Sequence, residues 1–392
     1  MRKLLITGGA GFIGSNFVHY WMKAHPSDAI LVMDALTYAG NRANLSALES
    51  NPAFEFVIGD ICDRALVERL MSDRAIDTVV HFAAESHIDR SIVDSDAFIK
   101  TNILGTHSLL ESAKALWLDS PRCGRFGAHR FHHVSTDEVY GSLDWRAPAF
   151  TESSHLRPSS PYAASKAAAD LLVKSYAHTY GLQITSSNCT NNYGPFQFPE
   201  KLVALTIVSV LQGRQIPIYG DGMHVRDWLH VIDHCRALDR VLDSGRPGAS
   251  YNIGGWAPRT NLDIVEQLCD LIDNAFARQP CLADRFPDAP PATNAPSLSL
   301  VRHVCDRPAH DRRYAVDAGR LVNELRFLPE FTLEDGLSQT VQWYLSNDAW
   351  WRAILSRPHY RDWIATNYSS RARPSTPIDR MVTAAVAKIH SS

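Results

Sequence analysis

A short apolar run, Lys3–Thr7, leads straight into Gly8-Gly9-Ala10-Gly11-Phe12-Ile13-Gly14, and apolar residues at helical spacing (Phe17, Val18, Trp21) follow until Pro26. Glycines at three-residue intervals between a strand and a helix leave bare backbone at the helix amino terminus. Free N–H groups and the helix dipole favour an anion there. A glycine run by itself is a weak signal, but the strand before it and the helix after it supply the required context. A second buried run, Ile30–Met33, ends on Asp34, about twenty residues further on. A carboxylate at that place accepts from a ribose 2′-hydroxyl and repels a 2′-phosphate, which selects NAD over NADP. The expected cofactor wall is Gly8, Gly11, Phe12, Ile13 and Gly14, then Asp34, Ala35, Leu36 and Thr37 after the second strand. Asp60 and Ile61 follow the third strand, and Phe82, Ala83, Ala84 and Ser86 the fourth, with Thr101 approaching from the next helix.

The same texture repeats along the first half. Phe54–Ile58 and Thr78–Phe82 are short apolar runs that end in polar turns, and Arg64–Met71 and Ile99–Leu118 carry helical spacing between them. Phe131–Val134 continues the series, with Ser135-Thr136 at its carboxyl end. A helical pattern from Tyr162 to Tyr180, stopped by Gly181, precedes a strand at Gln183–Cys189. Strands alternating with helices predict parallel βαβ units with right-handed crossovers, an α/β doubly wound parallel sheet. Beyond Asn191, Pro195, Pro199, Pro217, Gly220 and Gly222 break the chain into shorter elements. The expected organisation is a cofactor-binding domain over 1–190, a smaller interleaved lobe over 191–368 and a mobile tail over 369–392. Strands at Asp227–Val231 and Ser250–Gly255 are expected to return to the first domain, about 227–255. The Pro-, Ala- and Ser-rich stretch Gln279–Leu300 reads as an exposed loop, Leu333–Leu345 as an amphipathic helix, and the Trp-rich end (Trp343, Trp350, Trp351, Trp363) as helix packing.

Composition narrows the function classes. With 39 Lys and Arg against 42 Asp and Glu and no long basic run, nucleic acid is excluded as the main partner. The 7 cysteines are odd in number, scattered, and form no Cys-x-x-Cys pair, which fits a reducing compartment without disulfides or zinc. His129, His132 and His133 alternate on a strand beside no acid cage and read as packing, so no metal is expected. The apolar start fails at Thr7, no run is long enough for a bilayer, and a soluble cytoplasmic protein is expected.

Two constellations carry chemistry. Asp137 and Glu138 follow the strand end side by side, at the sheet edge where ligands bind in open α/β folds. Tyr162 and Lys166 lie four apart on one helix face. An ammonium beside the phenol, aided by a positive nicotinamide ring, is expected to lower the Tyr162 pKa so that it takes a proton from a substrate hydroxyl. Thr136 is suited to the same substrate oxygen.

The glycine loop with Tyr162-x-x-x-Lys166 resembles the extended short-chain dehydrogenase/reductases that act on nucleotide sugars, with a Rossmann-type sheet. Longer matches resemble the dTDP-glucose 4,6-dehydratases within that family. They are Ala84–Ser91, Ser135-Thr136-Asp137-Glu138-Val139-Tyr140-Gly141, Asn191–Leu202 and Asp306–Tyr314, and the likeness runs to about Tyr368. The resemblance implies a tightly held NAD regenerated each turnover, oxidation at the sugar C4 with Tyr162 as base, and elimination of water across C5 and C6. It assigns Glu138 as the base at C5 and Asp137 as the acid at C6, and returns hydride to C6. It places Ser86, Thr136, Asn191, Lys201 and Leu202 on the substrate and Asn192 on NAD. Arg226, Asn261, Asp306, Arg307 and His310 would close on the diphosphate and nucleoside, and Pro217, Ile218 and Tyr219 would line the base. It also implies deoxysugar biosynthesis on the dTDP-rhamnose route and a homodimer, with Ile99–Leu118 and Tyr162–Tyr180 as interface helices.

Two positions depart from the family pattern. Ala309 replaces the glycine of an Arg-Pro-Gly-His segment, which costs about 1 kcal/mol if φ is positive there. Asn188 stands where the family tends to have Arg, removing an ion pair. The competing readings are a UDP- or CDP-glucose dehydratase, a 4-epimerase or decarboxylase of the same fold, and an inactive NAD-sensing protein. A pocket reads the thymine methyl by only ~1–3 kcal/mol, which leaves the base open. The adjacent Asp137 and Glu138 speak against the epimerase and decarboxylase, and the intact Tyr162, Lys166 and Thr136 against the sensor.

Overall fold

The computed structural model describes residues 1–120 and 129–371. Seven strands form one parallel sheet: β1 (Lys3–Thr7), β2 (Ala29–Asp34), β3 (Phe54–Ile58), β4 (Thr78–His81), β5 (Arg130–Thr136), β6 (Ile184–Cys189) and, later in the chain, a strand at Ser250–Ile253. Its order is Ser250–Ile253, β6, β5, β4, β1, β2, β3. The direction of winding reverses between β1 and β4, and the crevice beyond their carboxyl ends is the place such sheets bind ligands. The sheet is apolar on both faces because helices cover both. Helix Phe12–Ala24 buries Phe17, Val18 and Trp21 against helix Val231–Ser244 on one side. Val67, Leu109, Leu110 and Val173, from three helices, fill the other side. Each such side chain contributes about 1.5–3 kcal/mol relative to exposure.

The smaller sheets belong to the second half. β7 (Asn191–Tyr193), β8 (Ile216–Tyr219), β9 (Val225–His230), β10 (the strand Ser250–Ile253 already placed), β11 (Pro258–Thr260) and β12 (Val301–Val304) complete the strands. β9 is the centre of a three-stranded sheet between β11 and β7, and β8 pairs with β12. The strand expected at Asp227–Val231 therefore does not join the large sheet as expected. β10 does, beside β6, and helix Val231–Ser244 packs on helix Phe12–Ala24. The difference arises because Asp227 turns its carboxylate to the amides of Gly255 (2.8 Å) and Ala257 (2.7 Å), fixing β9 to the segment that follows β10.

The stretch Gln279–Leu300 also departs from expectation. It is a short helix, Cys281–Arg285, and two 3₁₀ turns, Pro290–Thr293 and Ser297–Leu300. Leu282, Phe286 and Ala289 are buried in the same core as Trp228, Tyr344 and Trp351. Ser297 donates to Asp273, which pins the end of the stretch to helix Asn261–Arg278. Proline fixes φ without breaking these turns, and three apolar anchors suffice to hold them down. At the far end, Trp351 is fully buried, while Trp343 and Trp350 pack edge-on against Phe196. Apart from the end of helix Pro358–Arg371, the tail expected over 369–392 lies outside the described residues. Among the described residues no helix is long and apolar enough to cross a membrane.

Phe286→Ala removes a ring that is 1% exposed. It is expected to destabilise the chain by about 3–5 kcal/mol, read as a lowered urea midpoint. A loss under about 0.5 kcal/mol would return this stretch to the surface.

Candidate active site

The glycine loop closes over backbone with no room for side chains. Gly8 has φ +72°, and a Cβ there would stand 2.5 Å from the Ala83 amide nitrogen. A Cβ on Gly14 would lie 2.3 Å from the Gly8 carbonyl. The Asp34 carboxylate accepts from the Ala10 amide (2.9 Å) and the Leu36 amide (2.8 Å), locking β2 to the loop. Burial raises its pKa, and these backbone bonds hold it back. Leu36, at φ +51°, gives this amide to Asp34 and lies outside the cavity wall.

A cavity of about 360 Å³ opens along the carboxyl ends of β1, β2, β4 and β5. Its wall contains the other expected cofactor residues: the loop glycines, Phe12, Ile13, Asp34, Ala35, Thr37, Asp60, Ile61, Phe82, Ala83, Ala84, Ser86, Thr101, Tyr162, Lys166 and Asn192. Bare backbone at a helix start, a buried carboxylate at the end of β2 and an apolar floor suit a dinucleotide, and these residues fit NAD.

Thr136, Asp137, Glu138, Tyr162 and Lys166 line the same cavity. β5 ends at Thr136 and turns at once into a 3₁₀ turn, Asp137–Tyr140, because the Thr136 hydroxyl accepts from the Glu138 amide at 3.3 Å. Gly141, at φ +88°, closes the turn where a Cβ would strike the Arg157 carbonyl at 2.3 Å. Both carboxyl groups are buried, and Asp137 Oδ2 and Glu138 Oε2 have no hydrogen-bond partner.

Their surroundings differ. Burial and then the neighbouring Glu138 push the Asp137 pKa well above the usual carboxylate range. Burial also raises Glu138, but Arg307, Lys201 and Arg226 pull it down. Both values are raised, and cations oppose the rise more at Glu138 than at Asp137.

Helix Pro161–Tyr180 presents the other constellation. Ser160 caps it by accepting from the Ala163 amide, Pro161 opens it, and Gly181 at φ +72° ends it. Lys166 is buried and donates to the Val134 carbonyl at 2.8 Å, fixing the helix against β5. Burial lowers its pKa to about 8, while Asp170 one turn on raises it. Burial first, then the charge of Glu138, push Tyr162 well above its ordinary value, and a hydrogen bond with Thr136 opposes them. The Val134 carbonyl engages one of the three Lys166 N–H donors.

Asn188 bridges the Thr136 carbonyl and Asp170, each at 3.2 Å, so the position without the arginine still ties β5 to the helix. His133 faces the other Asp170 oxygen at 3.2 Å, and His132 bonds Thr185 and Ser187, as packing histidines do.

The expected substrate contacts divide into two groups. Ser86, Thr136, Asn191, Lys201 and Leu202 line the cavity, and Lys201 donates to the Ser86 carbonyl. Pro217, Ile218, Tyr219, Arg226, Asn261, Asp306, Arg307 and His310 lie outside its wall. Ile218 is 1% exposed, in the core, so its side chain cannot line a base as expected; strand alternation turns Pro217 and Tyr219 the other way. Tyr219 donates to Asp89 at 2.7 Å and lies under the Arg371 guanidinium. Arg226 donates to the Asp311 carbonyl and stacks on Tyr314. Ala309 has φ +52°, so the glycine replacement does fall at a left-handed position.

Sequence reasoning missed Tyr38, Glu85 and Glu200 in the wall. Glu200 pairs with Arg90 at 3.3 Å, and that guanidinium is sandwiched between Tyr38 (4.0 Å) and Trp363 (4.2 Å). Glu85, Arg90 and Glu200 sit inside the matched segments, which was the available signal.

Comparison with known proteins agrees with this geometry. The profile of a family described as GDP-mannose 4,6 dehydratase matches residues 5–340. The chain is 48% identical over 356 residues to a dTDP-glucose 4,6-dehydratase of Neisseria meningitidis, covering 91% of this chain and 97% of that one. A crystal structure of the dTDP-glucose 4,6-dehydratase of Streptomyces venezuelae with NAD bound superposes with a TM-score of 0.77 at 44% identity, covering 90% of this chain and 100% of that one. A UDP-glucose 4-epimerase of Thermotoga maritima shares the fold at a TM-score of 0.72 and 27% identity, covering 88% of this chain and 99% of that one.

The raised Asp137 pKa makes folding take up a proton. Its contribution to stability is fullest below the unfolded value, ~4, and is lost as pH rises toward the folded value. Asp137→Asn removes that loss. Its melting temperature should match the parent near pH ~4 and exceed it by about 2–4 °C at neutral pH, read by calorimetry; a variant that melts lower at both would contradict the assignment.

Proposed function

The chain belongs to the family described as GDP-mannose 4,6 dehydratase, on the dTDP-glucose 4,6-dehydratase branch, and from that premise we propose how its residues divide the reaction. The reaction is NAD-dependent dehydration of dTDP-glucose to dTDP-4-keto-6-deoxyglucose and water. NAD, when bound, supplies the acceptor for the C4 hydride and the donor that returns it to C6, so no external oxidant is consumed.

Tyr162 takes the proton of the C4 hydroxyl, with Thr136 hydrogen-bonded to the same oxygen. It does so as the phenolate, the form that the Lys166 ammonium and the positive nicotinamide ring would favour with NAD in place. Lys166, on the adjacent turn, supplies positive charge close to neutral pH. The ketone then acidifies the C5 proton, which Glu138 removes. Asp137 gives its proton to the C6 hydroxyl, which leaves as water. The observation that carries this reading is the unequal environment of the two neighbours: Arg307, Lys201 and Arg226 favour the ionised form of Glu138, and no cation offsets Glu138 at Asp137 as strongly. An epimerase has no use for such a split.

Asn191, Lys201 and Leu202 hold the diphosphate side, and Asn191 Oδ1 and Arg307 Nε are buried polar atoms with no hydrogen-bond partner among the described residues. Arg226, Asn261, Asp306, Arg307 and His310 close on the nucleotide, with Arg suited to bidentate phosphate contact. Pro217 and Tyr219 offer the base a side-chain surface. The chain acts as a homodimer through the helices that follow β4 and precede β6. Their outward residues Ile99, Leu104 and Leu171 are 48%, 56% and 58% exposed, which supports that surface.

Glu138→Gln should retain sugar-nucleotide binding and form reduced nicotinamide, yet release water about 10²–10⁴-fold more slowly. Absorbance of the reduced ring and a product mass spectrum measure both. Unchanged turnover would sink the role, and sugar that is only epimerised would sink the reaction class.

A further inference from the structure

We propose that His224, Asp306 and His310 form a binding site for one divalent transition-metal ion of the Zn²⁺, Co²⁺ or Ni²⁺ class. His224 precedes β9, and Asp306 and His310 flank the Ala309 turn that follows β12. His224 Nε2 lies 3.3 Å from Asp306 Oδ2, and His310 Nδ1 lies 2.6 Å from Asp306 Oδ1. One ligand atom from each residue lies within 4.8 Å of the others. Zinc with ligands at about 2.0–2.2 Å separates tetrahedral donors by about 3.4 Å, so occupancy asks for shifts on the order of 1 Å.

The two imidazoles stack at 3.6 Å with 17° between their planes, and both turn a nitrogen toward one carboxylate. Two imidazoles and a carboxylate suit borderline transition metals and disfavour Mg²⁺ or Ca²⁺. The neighbouring arginines are spent elsewhere: Arg312 makes a two-pronged pair with Asp221 at 2.7 Å, Arg226 serves backbone carbonyls, and Arg307 leans toward Asp89 at 3.7 Å. Asp306 is 37% exposed, which gives an entry path and an open position for water.

Occupancy withdraws Asp306 and His310 from the nucleotide; that clause alone rests on the substrate contacts proposed above. The metal would then slow turnover without touching Asp137 or Glu138.

The test titrates tag-free, chelator-washed protein with Co²⁺ and reads visible absorption. One equivalent should give the spectrum of low-coordinate Co²⁺. Binding should weaken about tenfold or more in both His224→Gln and His310→Gln, with unchanged far-ultraviolet circular dichroism. Absence of a stoichiometric spectrum, or unaltered affinity in both folded variants, overturns the site. In a parallel assay Zn²⁺ should slow water release in the parent and not in His224→Gln, with EDTA restoring it. Stoichiometric Co²⁺ binding with no Zn²⁺ effect on turnover would uphold the metal site and remove Asp306 and His310 from the nucleotide grip.

Discussion

Asp137 and Glu138 each bury a carboxylate oxygen at the end of β5 with no ion pair to a cation among the described residues, and the site depends on how that cost is met. Desolvation acts on both alike. Asp137 meets it by keeping a proton beside Glu138, and Glu138 meets it with the field of Lys201, Arg226 and Arg307. Those cations come from the second half of the chain, from the segment before helix Leu202–Leu211, from β9 and from the turn after β12. The environments of the two acids are thus set in part by residues from the second half of the chain.

The large sheet supplies what this arrangement needs most, which is position. β5 is registered against β4 from Thr78↔Arg130 to His81↔His133 and against β6 up to Thr136↔Cys189. Lys166 and Asn188 tie its last carbonyls to helix Pro161–Tyr180. The turn Asp137–Tyr140 therefore starts from a fixed backbone, and its acids are aimed by the Thr136 cap and the Gly141 stop. The same sheet edge, two strands over past β4, carries the glycine loop. Oxidation and elimination are adjacent because β1, β4 and β5 are adjacent.

Elements specified by local pattern were legible in the sequence. β1 and β3 fall at the expected residues, and the strand-end acids, the Tyr162–Lys166 face and the Gly181 stop were all visible as short-range signals. Features specified by tertiary contact were not. Proline and alanine made Gln279–Leu300 look exposed, whereas Leu282 and Phe286 bury it. Asp227 commits β9 to a small sheet through two amides thirty residues away in effect but invisible in spacing. The direction of the Tyr162 shift depends on burial and on Glu138, neither of which an i, i+4 pair reveals. His224 meets Asp306 and His310 through the pairing of β8 with β12 and the bridge between Val225 and Arg313. Ala309, by contrast, was flagged by its departure from the family pattern and does sit at positive φ.

The unequal protonation of Asp137 and Glu138 is the central claim, and infrared difference spectroscopy in the carboxyl stretching region reads it directly. At neutral pH the parent should show the C=O band of a protonated acid that vanishes in Asp137→Asn and persists in Glu138→Gln. A band that vanishes in Glu138→Gln and persists in Asp137→Asn would reverse the roles, and no change in either variant would contradict the account.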